Sequence, residues 1–92
     1  MVDKWSKSLK YLFLEHNELL TFPRAEGALL EHLDLSWNCL EEVPPAVCQM
    51  TTLQTLHLSG NEHIHEIPVE FGRLTKLTVF KYQELVVSLN RY

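Results

Sequence analysis

Residues 30–40, LEHLDLSWNCL, decide the fold, because the same arrangement stands on either side of them, as LKYLFLEHNEL at residues 9–19 and LQTLHLSGN at residues 53–61. All three copies carry leucine at the first, fourth and sixth places and asparagine at the ninth, so twelve side chains fall in register. Each copy then reaches an apolar residue followed by proline: Phe22 and Pro23, Val43 and Pro44, Ile67 and Pro68. Successive first leucines, Leu9, Leu30, Leu53 and Leu77, lie 21, 23 and 24 residues apart. Self-similarity at a period of about 20 to 50 residues marks a stacked-repeat architecture.

The chemistry of the repeat explains why it must stack. Leucines at the fourth and sixth places alternate with polar or aromatic residues, the period of two that gives a strand one buried face. A lone strand cannot hide that face, whereas stacked copies bury a continuous leucine column, each fully buried leucine contributing about 1.5 to 3 kcal/mol. Asparagine follows where the chain turns inward and strands backbone groups away from water; its amide offers two donors and an acceptor to satisfy them. Asn17, Asn38 and Asn61 are therefore structural. Proline suits a return arm that is extended or loosely helical, where its missing N–H is not needed. On the later arms Val47 and Met50, then Phe71 and Leu74, recur three residues apart and point back at the core.

The pattern L-x-x-L-x-L-x-x-N-x-L-x-x-L-P resembles the leucine-rich-repeat family, and among its members the intracellular, Ras-signalling-associated and scribble-like repeats. The resemblance runs from about Leu9 to Tyr82. It implies a single α/β solenoid domain over residues 1–92, with a short curved parallel sheet on the concave side and loop or short-helix arms on the convex side. It implies three clear repeats starting at residues 9, 30 and 53 and a degenerate fourth from residue 77.

Departures from the pattern carry their own expectations. The first arm, residues 23–29, is two residues shorter than the second and has Glu26 where Val47 and Phe71 stand later, which predicts a tight, poorly packed turn around Gly27. In the third unit one extra residue separates Asn61 from Ile64, so His63 holds the usual leucine place and Ile64 takes over its role through a small bulge. The fourth unit has Phe80 and Tyr82 at the leucine places, but Leu85 replaces the asparagine and no proline follows. The tail from Leu85 to Leu89 lacks the polar chemistry of a terminal cap. It forms either a divergent strand that caps the core or, the favoured reading, the uncapped end of a chain cut from a longer array, open to self-association through its edge. Trp5 is expected to fold over the first leucine layer.

Outward positions form three columns across the sheet: Tyr11, His32, Thr55 and Val79; Phe13, Asp34, His57 and Lys81; Glu15, Ser36, Ser59 and Gln83. His16 and Trp37 follow at the eighth place. Aromatic side chains dominate binding hot spots because large apolar bodies are desolvated at small entropic cost. Tyr11, Phe13 and Trp37 are thus candidate anchors, with Glu15, Asp34 and His57 as polar contacts and His32 and Lys81 on the same face. Two alternatives stay open at this point: Trp37 shields the asparagine turn, and Phe13 only pairs with cross-strand neighbours.

Composition narrows the rest. Net charge is −4, and the eight Lys and Arg are scattered, which argues against a nucleic-acid partner. No stretch of about 18 apolar residues exists and the start, MVDKWSKS, is polar where a signal peptide needs an apolar run, so a soluble, cytoplasmic chain without membrane insertion is expected. Cys39 and Cys48 read as free thiols in that compartment. His63 and His65 on an extended segment suggest a metal pair, but no third ligand is in view and polar flanks around a core Ile64 explain them equally. His32, Asp34 and His57 on an open sheet would not exclude water, and Ser36 and Ser59 have neither an oxyanion hole nor a nucleophile elbow. No glycine-rich phosphate loop exists among Gly27, Gly60 and Gly72, and Gly60 is better read as letting the chain turn into Asn61. The expectation is a protein-protein interaction module without catalysis, metal or cofactor, of scaffold or adaptor type in intracellular signalling. The alternatives are a structural spacer of a longer array and, more weakly, a metal-dependent hydrolase.

Overall fold

Leu12, Leu33, Leu56 and Phe80 are Cα partners across four parallel strands, so the fourth place of each copy lands in one column. The computed structural model describes residues 8–22, 29–83 and 85–88, the last four through their backbone. The strands are β1 (Tyr11–Phe13), β2 (His32–Asp34), β3 (Thr55–His57), β4 (Val79–Tyr82) and β5 (Leu85–Ser88), hydrogen-bonded in chain order. The ladder runs beyond these short spans, since Leu14 N–H donates to the Asp34 carbonyl at 2.9 Å and Trp37 N–H to the Ser59 carbonyl at 2.7 Å.

Leu33, Leu35, Leu40, Leu53, Leu56 and Leu58 are buried to within 1% exposure, and the first-layer leucines, Leu9, Leu12, Leu14 and Leu19, pack partly buried against them. The return arms of the second and third units close the other side through 3-10 turns at Val47–Gln49 and Val69–Arg73. Val47, Met50, Phe71 and Leu74 face inward as the spacing predicts, with Phe71 tilted against Phe80 at 4.8 Å between ring centres. Ile64 is fully buried while His63 is exposed, so the extra residue of the third unit is absorbed by a turn in which Ile64 N–H donates to the Asn61 carbonyl. The apolar residue before Pro68 pays for this shift: Ile67 stays 38% exposed, whereas Phe22 and Val43 are buried.

Of the two readings of the tail, the divergent strand describes residues 85–88: they turn back and pair antiparallel with β4, Tyr82 opposite Leu85 and Val79 opposite Ser88, so β5 takes β4's free side and becomes the last strand of the sheet. The sheet is therefore four parallel strands with an antiparallel fifth. Trp5 and the turn around Gly27 lie outside the described residues.

The asparagines bind one repeat to the next. Asn38 Oδ1 accepts from the N–H groups of Asn17 and Leu19 at 2.9 Å each, and its Nδ2 donates to the Leu14 and Leu35 carbonyls at 3.0 Å. Asn61 repeats the scheme one unit on, accepting from Leu40 N–H at 3.1 Å and donating to the Leu35 and Leu58 carbonyls at 2.9 and 3.0 Å. Asn17 is exposed and, among the described residues, donates only within its own turn, to Leu14 and Glu15. Replacing Asn61 with Ala strands three backbone groups, and with each unsatisfied group costing about 1 to 3 kcal/mol the loss should reach about 3 kcal/mol or more. Asn17→Ala should cost under about 1 kcal/mol, because its partners can turn to water. Urea midpoints of the two variants test this, and equal losses would contradict the ladder.

Candidate protein-binding face

The outward columns occupy the register expected of them: Tyr11, His32, Thr55 and Val79 are successive Cα partners, as are Phe13, Asp34, His57 and Lys81. Tyr11 and Phe13 stand 57% and 61% exposed at the β1 end. Tyr11 stacks on His32, ring centres 4.6 Å apart and 14° from parallel, which fixes one flank of the patch. Across from Phe13 stands its register partner Asp34, and among the described residues its ring contact is Tyr11 on the same strand at 6.4 Å. Glu15 is exposed at the strand's end, and Lys81 is half-buried beside His57.

The middle of the face is polar and held in place. Asp34 Oδ2 lies 3.3 Å from His57 Nδ1, and its Oδ1 accepts from Ser36 N–H at 2.9 Å. Burial alone would raise the Asp34 pKa, but the bonds from Ser36 and then the neighbouring His57 outweigh it and hold the carboxyl below its ordinary value. Ser36, at the next outward place, is buried beside this carboxylate, to which its N–H donates.

Trp37 joins its two possible readings. It sits on the asparagine turn with its ring over Gly60, where a Cβ would overlap the indole, and yet it is 57% exposed. His16 lies parallel to it, ring centres 6.1 Å apart. The eighth place of all three repeats is left-handed, with φ of 61° at His16, 57° at Trp37 and 78° at Gly60. That conformation costs an L-residue about 1 to 2 kcal/mol and is free to glycine. A bulky residue at this place is therefore retained against a backbone cost. Reading the eighth place as a column, with a side chain above a glycine, is the signal that finds this stack.

Among the described residues no group of three His, Cys, Asp or Glu side chains could hold a metal, and His63 and His65 are both exposed beside the buried Ile64. Cys39 is exposed and Cys48 buried, both as free thiols. No described helix is long and apolar enough to cross a membrane.

The Leucine Rich Repeat family model matches residues 29–50 and 52–74, the second and third units. The chain belongs to the leucine-rich-repeat family. Leucine-rich repeat serine/threonine-protein kinase 1 of Mus musculus is 36% identical over 74 residues, 80% of this chain and 4% of that protein. Its namesake in Caenorhabditis elegans is 44% identical over 75 residues, 75% of this chain and 3% of that protein. Adenylate cyclase of Schizosaccharomyces pombe is 33% identical over 72 residues, 76% of this chain and 4% of that protein. The chain thus spans only a few per cent of the relatives' length. No solved structure matches it significantly. Leucine-rich repeats generally mediate protein-protein interaction and are non-catalytic in themselves.

Two outcomes follow from the local electrostatics of these repeats. Because the folded-state pKa of Asp34 is depressed, its charge stabilises the fold above the unfolded carboxylate pKa, and that contribution is lost as pH falls through the folded value. Asp34→Asn should lower stability by about 1 kcal/mol at neutral pH, with the gap to wild type closing below about pH 4. Urea titrations at several pH values check it; a pH-independent gap would rule out the charge as the cause. Burial, then repulsion from Glu70, pushes the Cys48 thiol up despite Arg73. A thiol reagent should label Cys39 in the folded protein and reach Cys48 only on unfolding, readable by peptide mass spectrometry.

Proposed function

We propose that this chain is a non-catalytic module that holds a partner protein against the outward face of its sheet, as a scaffold or adaptor in intracellular signalling, acting in the cytoplasm. The observation that carries this reading is the separation of roles within each repeat. Leucines and asparagines meet every demand of folding from the inward side, while Tyr11, Phe13 and Trp37 stand more than half exposed on the other. Scattered exposed apolar residues need no explanation, but here Tyr11 and Phe13 adjoin on one strand and Trp37 is kept at a left-handed position that favours glycine. Strain retained at an exposed aromatic supports a binding role.

Tyr11, Phe13 and Trp37 are the anchors of this reading, and Glu15, His32, Asp34, His57 and Lys81 supply orientation. The row from Asp34 through His57 to Lys81 runs from acid to base across three strands, which sets the direction in which a polar segment fits. The relatives named as kinases and as an adenylate cyclase support a recognition role for such repeats beside another activity, because the similar segment is a few per cent of each.

The triple variant Tyr11→Ala, Phe13→Ala and Trp37→Ala should keep the far-ultraviolet circular dichroism of wild type and lose the partner that wild type captures from cell lysate. Reconstitution of that partner with purified chain should show affinity falling at least about a hundredfold, since hot-spot truncations cost about 2 kcal/mol or more each. A partner retained equally by a folded triple variant would remove this face from consideration.

A further inference from the structure

The extra residue of the third repeat builds a feature that the regular units lack. Between Asn61 and Ile64 the chain carries Glu62 and His63 out to solvent, and both ends of that excursion are fixed. Asn61 is anchored by its amide to the neighbouring repeat, Ile64 is fully buried, and Tyr82 Oη donates to the Ile64 carbonyl from β4. Beside this turn lies an open groove of about 330 Å³ lined by Trp37, Gly60, Asn61, Glu62 and Gln83.

Its chemistry is directional. One wall is the Trp37 ring, seated on Gly60, which leaves no room for any side chain beneath it and so holds the indole upright. Asn61 spends its amide on backbone groups and offers the ligand nothing. Glu62 is exposed and has no ion-pair partner among the described residues, and the whole chain carries a net charge of −4. An aromatic face, an unneutralised carboxylate and a terminal amide converge on one cavity in an acidic protein.

We propose that this groove receives an arginine side chain from an extended segment of a partner protein, with the guanidinium stacked on Trp37 and paired with Glu62. Charge complementarity selects a cation, and the flat indole selects guanidinium over ammonium, because a planar, weakly hydrated group stacks while a lysine head stays solvated. Gln83 supplies a carbonyl acceptor at the open end. The site shares Trp37 with the anchors of the proposed binding face and rests on that reading for its biological use, while Glu62 and Gln83 belong to the groove alone.

The test uses the whole chain and short peptides of sequence Gly-Ser-X-Ser-Gly, where X is arginine, lysine, citrulline or leucine, titrated while following the Trp37 indole N–H by NMR. The arginine peptide should move that resonance and bind about fivefold or more tightly than its neutral isostere citrulline, the combined scale of an exposed cation–aromatic contact and ion pair. Glu62→Gln, on an exposed turn whose ends are fixed by other residues, should bring arginine down to the citrulline level with circular dichroism unchanged. Equal binding of citrulline or leucine, stronger binding of lysine than arginine, no movement of the Trp37 signal, or a Glu62→Gln variant indistinguishable from wild type would each overturn the assignment. These failures stand apart from failure of the wider reading, which a Tyr11→Ala and Phe13→Ala double variant judges by partner capture while leaving Trp37 and Glu62 in place.

Discussion

The buried amide of Asn38 does work that no leucine can. A strand that turns sharply into the core leaves N–H and C=O groups beyond the reach of water, and an unpaired buried group costs about 1 to 3 kcal/mol. Asn38 answers N–H groups of the repeat before it with one oxygen and carbonyls of both repeats with one nitrogen. A copy standing alone could bury neither its leucines nor this turn, so cohesion lies in the interfaces between copies, as in other one-dimensional arrays. The arrangement is also polar along the stack. Asn61 serves the unit of Asn38 and Asn38 serves that of Asn17, while among the described residues Asn17 serves only its own turn. In that first unit the leucines are only partly buried. Local opening should therefore begin at that end, which is also the end carrying Tyr11 and Phe13.

That ladder sets the geometry of the eighth place as well. To bring the ninth residue inward at the end of a strand, the residue before it takes a left-handed conformation in all three units. Glycine meets the requirement without cost, histidine tolerates it, and tryptophan opposes it. The sequence uses one of each, and the choice is complementary: the large ring of Trp37 rests where Gly60 has no side chain, and His16 lies parallel above it. Either replacing Gly60 or moving Trp37 one unit on would force the ring off its support.

Periodic constraints were legible in the sequence and singular ones were not. The register of Tyr11, His32, Thr55 and Val79 followed from counting places, because one leucine column admits one alignment of strands. The replacement of the usual leucine by Ile64 was legible for the same reason, as a core position has to be filled. The fate of Leu85 to Ser88 was not, because an apolar segment without caps suits an exposed edge and an antiparallel return equally, and only the pairing with β4 distinguishes them. The covering of Ser36 was not legible either, because alternation describes side-chain direction and not exposure, and Asp34 folds over the strand's end to take the Ser36 N–H. The groove beside Trp37 left no trace in any single unit: its walls come from the second, third and fourth.

Function in such an array has two places in which to vary, the outward columns and the lengths of the connections. A changed column residue alters chemistry on a surface whose shape the ladder fixes. A changed connection alters shape, but it threatens the core unless another residue fills the vacated place. The third unit does both at one point: Ile64 restores the core, Ile67 stays partly exposed, and the lengthened excursion leaves both Glu62 and His63 outside, Glu62 on the groove beside Trp37. Because Asn61 and Ile64 pin the excursion at its two ends, Glu62 is held near the indole without depending on the loop's own preference. Preorganisation of that kind reduces the entropy lost on binding, which is how a small exposed site on a small domain can still discriminate among side chains.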